Sequence, residues 1–160
     1  MKSIVASITT LSLFSFLTLA FAIETPRIVP RMNEIHKPAD EVFATLKRYF
    51  SDPSSGFQLV SADRATHTLV AKETGISEEP WRRWAFCETG PVQMIYKLQD
   101  GIVTVTVKLE QATPHSTLAS VAADFHGRYA LGGDENTVAC TSRFVLEDDI
   151  LAAAGAAPGK

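Results

Sequence analysis

Apolar and polar residues alternate from Val92 to Leu109, on both sides of an Asp100-Gly101 pair. A two-residue Asp-Gly loop is typical of a β-hairpin, because both residue types tolerate positive φ. Pairing outward from this turn places one apolar set on a single face: Val92, Met94, Tyr96, Leu98, Val103, Val105, Val107 and Leu109. A slip of one residue would scramble both faces, so the turn and the pattern agree on one register. The sequence predicts a hairpin that turns at Asp100-Gly101.

After Pro38, the apolar residues recur with the spacing of a helix. Asp40 and Glu41 place negative charge in the first turn, and Lys47 and Arg48 place positive charge near the end, as the helix dipole favours. The apolar stripe has helical spacing: Val42, Phe43, Leu46, Tyr49 and Phe50. A helix with one core-facing side is therefore predicted, ending before the loop at residues 51–56.

Short strands account for most of the remaining chain. They are predicted at Arg31–His36, Phe57–Ala62, Thr66–Glu73, Trp81–Thr89, residues 117–129 and Thr137–Val145, with a short helix at Leu146–Ala154. Residues 118–123 are rich in alanine, so a short helix is the alternative there. The predicted fold class is α+β: a curved antiparallel sheet of about six strands, one long helix packed on one face, and a short C-terminal helix.

The opening of this unit is a strand followed by Lys37-Pro38-Ala39-Asp40-Glu41-Val42-Phe43. It resembles the start of a helix-grip domain of the lipid-transfer (START-like) kind. The resemblance is limited to this opening.

The first 22 residues read as a secretory signal peptide. Lys2 precedes an uncharged run from Ile4 to Phe21, which closes on the small-x-small cleavage pattern Ala20-Phe21-Ala22. The alternative is an uncleaved membrane anchor, since the run is just long enough to cross a bilayer, but serines and threonines dilute it. Residues 23–154 are then a single domain and residues 155–160 a flexible tail. The predicted location is secreted or periplasmic.

Charge and cysteine content narrow the function further. A net charge of −3 and an isoelectric point near 5.8 argue against a nucleic-acid partner, which would require a basic surface. In an oxidising compartment the two cysteines are most simply one disulfide between Cys87 and Cys140.

The segment Trp81-Arg82-Arg83-Trp84 is the first candidate site. On the predicted strand each guanidinium has an indole beside it, and both residue types are frequent at binding hot spots. A peptide, a glycan or a lipid headgroup would suit such a surface. The alternative is structural, with one tryptophan in the core and the other over a sheet edge.

Asp124, His126 and Arg128 are the second candidate site, because alternate residues of a strand share one face. A carboxylate, an imidazole and a guanidinium in a row suit an anionic ligand or acid-base chemistry. An ordinary solvated face whose charges pair is the structural alternative.

No motif in the sequence names a reaction, a metal or a cofactor. The four histidines lack zinc-site spacing, and neither a nucleophile elbow nor a glycine-rich phosphate loop is present. The first hypothesis is a non-catalytic binding domain that holds a small apolar ligand between helix and sheet or uses the Trp-Arg segment to bind a partner. An assembly protein of the cell envelope is the second, and an enzyme using Asp124, His126 and Arg128 is the third.

Overall fold

A computed structural model describes residues 28–87, 97–131 and 134–157. In chain order the elements are β1 (Arg31–Ile35), α1 (Ala39–Ser51), a 3₁₀ turn (Pro53–Ser55), β2 (Gln58–Asp63), β3 (Thr68–Ile76), α2 (Glu78–Trp84), β4 (Ala85–Phe86), β5 (Lys97–Thr113), β6 (Ser116–Leu131), β7 (Asp134–Ser142) and α3 (Val145–Ala153). The predicted signal peptide and the start of the predicted hairpin lie outside these residues.

The strands form one antiparallel sheet of seven in the order β2-β3-β5-β6-β7-β4, and β1 also pairs with β6. β6 is long enough to hold two strands end to end along one edge. β1 pairs with residues up to Val121, and β7 pairs from Phe125 onward. With three helices, this confirms the α+β class.

The predicted hairpin at Asp100-Gly101 is wrong, because β5 runs straight through this pair. Gly101 lies opposite Gly127 and Val103 opposite Phe125, both on β6. The true reversal comes later, between Thr113 and Ser116. The predicted buried face of the second half of the hairpin is confirmed, since Val103, Val105 and Val107 are all fully buried. Their partners, however, are on β6 and not on the preceding segment.

The strands predicted at Phe57–Ala62 and Thr66–Glu73 correspond to β2 and β3, which form a hairpin. β2 and β3 are antiparallel neighbours, and the Asp63 carboxylate accepts hydrogen bonds from the backbone of Ala65 and the hydroxyl of Thr66 in the turn. The helical alternative for residues 118–123 is wrong, because β6 is a continuous strand whose residues alternate between buried and half-buried. Its buried face includes Val121 and Phe125.

The helices are short, at 13, 7 and 9 residues for α1, α2 and α3. The predicted long helix is therefore not shown. In α1, the predicted stripe residues Val42, Phe43, Leu46 and Phe50 are buried, whereas Tyr49 is half-buried. Among the described residues, no helix has the length and apolar character needed to span a membrane.

A continuous apolar core lies between the helices and one face of the sheet. Its largest fully buried side chains include Phe50 and Leu46 of α1, Phe125 of β6 and Ile150 of α3. The opposite face of β5 and β6 carries half-buried polar and small residues. Alternation along β5 and β6 therefore divides the sheet into a covered face and an open face.

Candidate functional site

The Trp-Arg segment lies in helix α2, so the strand predicted from Trp81 to Thr89 is wrong for its first four residues. The sequence contains the helix signals. Glu78 and Glu79 lie in the first turn and Arg82 and Arg83 in the last, which suits the helix dipole. The Arg82 guanidinium also forms an ion pair with Glu78 one turn earlier. Ala85 and Phe86 continue as strand and pair with the end of β7, and residues 88 and 89 of the predicted strand lie outside the described residues.

Helix α2 directs Trp81 into the core, where the residue is only 2% exposed. Its indole contacts the Phe125 ring edge-on, with 5.6 Å between ring centroids. It also lies directly on the backbone of Gly101, because a β-carbon at that position would overlap the indole ring. Gly101 is therefore required by the close approach of Trp81 and not by a turn.

A hollow of about 300 Å³ opens beside Trp81, between α2 and the sheet. Its lining combines aromatic, aliphatic and charged side chains from six elements and connections: Glu78, Trp81, Arg82, Ala85, Phe86, Cys87, Leu98, Tyr129 and Arg143. Concave sites that join apolar walls to a few polar groups are typical of small-ligand binding.

Arg143 is held at one wall by three contacts. Its backbone N–H donates to the carbonyl of Trp84 at 2.8 Å, and its Nε donates to the carbonyl of Ala85 at 3.3 Å. The guanidinium carbon lies 5.7 Å from the centroid of the Phe86 ring, a cation–π distance. In the part of the chain that the structure describes, no carboxylate forms an ion pair with it.

Two polar groups lie at the floor of the hollow. Burial raises the pKa of the Tyr129 hydroxyl, and the nearby Trp81 indole opposes that effect. The indole Nε1–H is buried beside Tyr129 and is not accessible from the hollow.

The predicted disulfide between Cys87 and Cys140 is confirmed. Cys87 lines the hollow beside Trp81, whereas Cys140 lines a second hollow of about 40 Å³ near the junction of β1 and β7. The disulfide therefore forms part of the wall between the two hollows.

The second predicted site lies on the open face of the sheet, away from Trp81. His126 Nε2 is 3.1 Å from an Asp124 carboxylate oxygen, and both residues are partly exposed. Arg128 is turned away from this pair, because its guanidinium forms an ion pair with Asp100 on the neighbouring strand. The three residues share a face, as predicted, but they form two separate pairs.

The remaining predicted residues do not line the larger hollow. Arg83 is exposed, and Trp84 is half-buried against the core. Sequence analysis missed Phe86, Leu98, Tyr129 and Arg143. Tyr129 could have been predicted to face the core, because it continues the apolar positions of the alternating segment. No local pattern marks Arg143, because only the tertiary structure brings it next to α2.

No group of three or more histidine, cysteine or acidic side chains in the described ranges is arranged to hold a metal ion.

No protein-family model matches the sequence, and no curated protein matches it. Two solved structures are similar in part: a DUF4468 family protein from Bacteroides ovatus, 12% identical over 71% of this chain, and a TBP-like protein from Parabacteroides distasonis, 8% identical over 69%. Each superposes with a TM-score of 0.36, and the chain spans 64% of the length of each. Likeness at this level carries no argument about function.

Proposed function

We propose that this chain is an exported, non-catalytic binding domain that holds a small ligand in the hollow beside Trp81. The observation that carries the proposal is the convergence of Trp81, Leu98, Tyr129 and Arg143 on one concave space of about 300 Å³. That space suits a small molecule. The ligand lies against α2 and not against α1, whose stripe residues Val42, Leu46 and Phe50 are fully buried in the core.

The arrangement of ionisable groups favours binding over catalysis. The side chains best suited to acid-base chemistry, Asp124 and His126, lie on the open face of the sheet. Within the hollow, Glu78 is paired with Arg82. A general base needs a substrate within hydrogen-bond reach, and these pairs face away from the concave site or are engaged at its rim.

Export is the second part of the proposal. The signal-like segment at residues 1–22 and the disulfide both suit a secreted or periplasmic protein. Edman sequencing of protein recovered from outside the cytoplasm should begin at Ile23. A chain that still begins at Met1 and fractionates with membranes would instead establish the anchor.

Native mass spectrometry of protein purified gently from its own secreting cell tests the binding function. We expect an added mass that denaturation releases. Leu98→Trp, which fills the hollow, should abolish the added mass, whereas Leu118→Trp on the half-buried open face should retain it. A bare chain in the unmodified protein would contradict the proposal.

A role as an assembly protein of the cell envelope is the second candidate. Ile28, Val29 and Met32 are each about half exposed, and the last belongs to β1, which pairs with β6 alone among the described strands. An apolar patch on a free strand edge is a docking surface for another protein. A second polypeptide retained in the mass spectrum, and lost on Met32→Lys, would favour this function.

A further inference from the structure

We propose that the ligand of the hollow is a carboxylate with an apolar or aromatic body, its head bound by Arg143. This inference rests on the proposed function, because it specifies the chemistry of the same site.

The anionic head follows from how Arg143 is held. Its backbone and Nε are fixed to the carbonyls of Trp84 and Ala85, and the Phe86 ring supports the guanidinium plane. The residue is exposed, its two terminal nitrogens are left available to a ligand, and the guanidinium has no carboxylate partner among the described residues. A planar fork with two free N–H groups matches a carboxylate in bidentate geometry.

The charges at the rim of the hollow also favour an anionic head group. Arg82 and Glu78 also line the hollow, but they neutralise one another. Among the described lining residues, Arg143 is then the one positive charge without an acidic partner. A ligand with a single negative charge completes the balance, whereas a cation would face an unpaired guanidinium.

The apolar body follows from the remaining walls. Trp81, Leu98 and Tyr129 supply flat or aliphatic surface. Such walls favour a ring or a short chain over a highly hydrated anion such as inorganic phosphate. The ligand class is thus an aromatic or short-chain aliphatic acid.

Tryptophan fluorescence gives a direct test, since the chain has only two tryptophans. In a Trp84→Phe background, Trp81 alone reports the hollow. The probes are phenylacetate and hexanoate, their uncharged amides as matched controls, and inorganic phosphate. We expect saturable changes with both acids and at least tenfold weaker binding of both amides and of phosphate.

Two arginine variants separate the head from the body. Arg143→Gln should bring acid and amide to within about threefold of each other, because only the head contact is lost. Arg83→Gln, an equal charge change outside the hollow, should preserve the tenfold preference. Equal binding of acid and amide by the Trp84→Phe protein would overturn the carboxylate inference while leaving the proposed binding function intact. If neither acid alters Trp81 emission, the carboxylate inference also fails, whereas the proposed binding function fails only if native mass spectrometry shows a bare chain.

Discussion

Glu147 is the residue whose burial is hardest to reconcile with its charge. It is fully buried in the first turn of α3, and no basic side chain in the described part of the chain forms an ion pair with it. Burial raises the pKa of this carboxyl, and the nearby Ser142 hydroxyl opposes the effect. A raised pKa in the folded state means that the protein binds this proton more tightly than the unfolded chain does.

The sign of the pH dependence follows. The stabilising contribution of protonated Glu147 is complete below the ordinary glutamate pKa and is lost as pH rises through the raised folded-state value. Glu147→Gln should therefore increase the free energy of unfolding at pH 7 by about 1 kcal/mol or more, since it removes an unpaired buried charge. Urea unfolding at pH 4 and pH 7 checks this. Asp149→Asn, an exposed change on the same helix, is the control, and an equal effect of both variants would contradict the prediction.

Gly101 shows how a single residue can mislead sequence analysis. An Asp-Gly pair between alternating segments is a strong hairpin signal, yet here glycine is present because the Trp81 ring occupies the space of a β-carbon. Asp100 has its own reason, which is the ion pair with Arg128 across the β5–β6 ladder. Both contacts join residues that are distant in sequence. The local sequence pattern therefore could not predict them.

Gly101→Ala should lower the free energy of unfolding by about 1–3 kcal/mol, because the new methyl group must displace the Trp81 ring. Chemical denaturation measures the loss. In a Trp81→Leu background the same substitution should cost much less, since the obstructing ring is absent. Additive effects in the double variant would show that the clash is not the cause.

Helix α1 depends on a residue of another element to cap its N-terminus. Its apolar stripe and charged ends are legible in sequence, and they are confirmed by the burial of Val42, Leu46 and Phe50. Its N-terminus has no local side-chain cap, because Pro38 occupies that position. Gln111 of β5 supplies the missing acceptor, with its Oε1 2.8 Å from the backbone nitrogen of Ala39.

Gln111→Ala should therefore destabilise the protein by about 1 kcal/mol, the usual cost of losing a helix cap. The thermal midpoint should fall correspondingly in differential scanning calorimetry. Gln58→Ala on the exposed edge strand β2 removes the same side chain without a cap and should leave the midpoint nearly unchanged. Equal shifts for the two variants would refute the capping role.

Helix α2 is too short for hydrophobic periodicity to predict its secondary structure. Seven residues give two turns, too few for a stripe to distinguish helix from strand, and the paired tryptophans favoured a strand. The end charges, Glu78-Glu79 and Arg82-Arg83, were the better guide. The core faces of β5 and β6 were predictable because their alternation is long, whereas the hollow was not, because it joins α2, β5, β6 and the Arg143 segment through space.

At the scale of the whole molecule, the disulfide links residues separated by 53 positions. Closing a loop of that length stabilises the folded state by about 4 kcal/mol in the chain-entropy account. A Cys87→Ala, Cys140→Ala double variant should lose a comparable part of its free energy of unfolding, measured in urea. The unreduced parent should titrate no thiols when denatured, and two thiols per chain would contradict the bond.

β1 and β7 lie end to end along β6, but they would respond differently to a pulling force. If the chain is pulled at a point before Arg31 and away from β6, the β1–β6 hydrogen bonds break in order from Arg31 toward Ile35. β7 is instead tied through Cys140 to the chain that follows β4. Loss of β1 in this way would leave β7 both paired with β6 and cross-linked through Cys140.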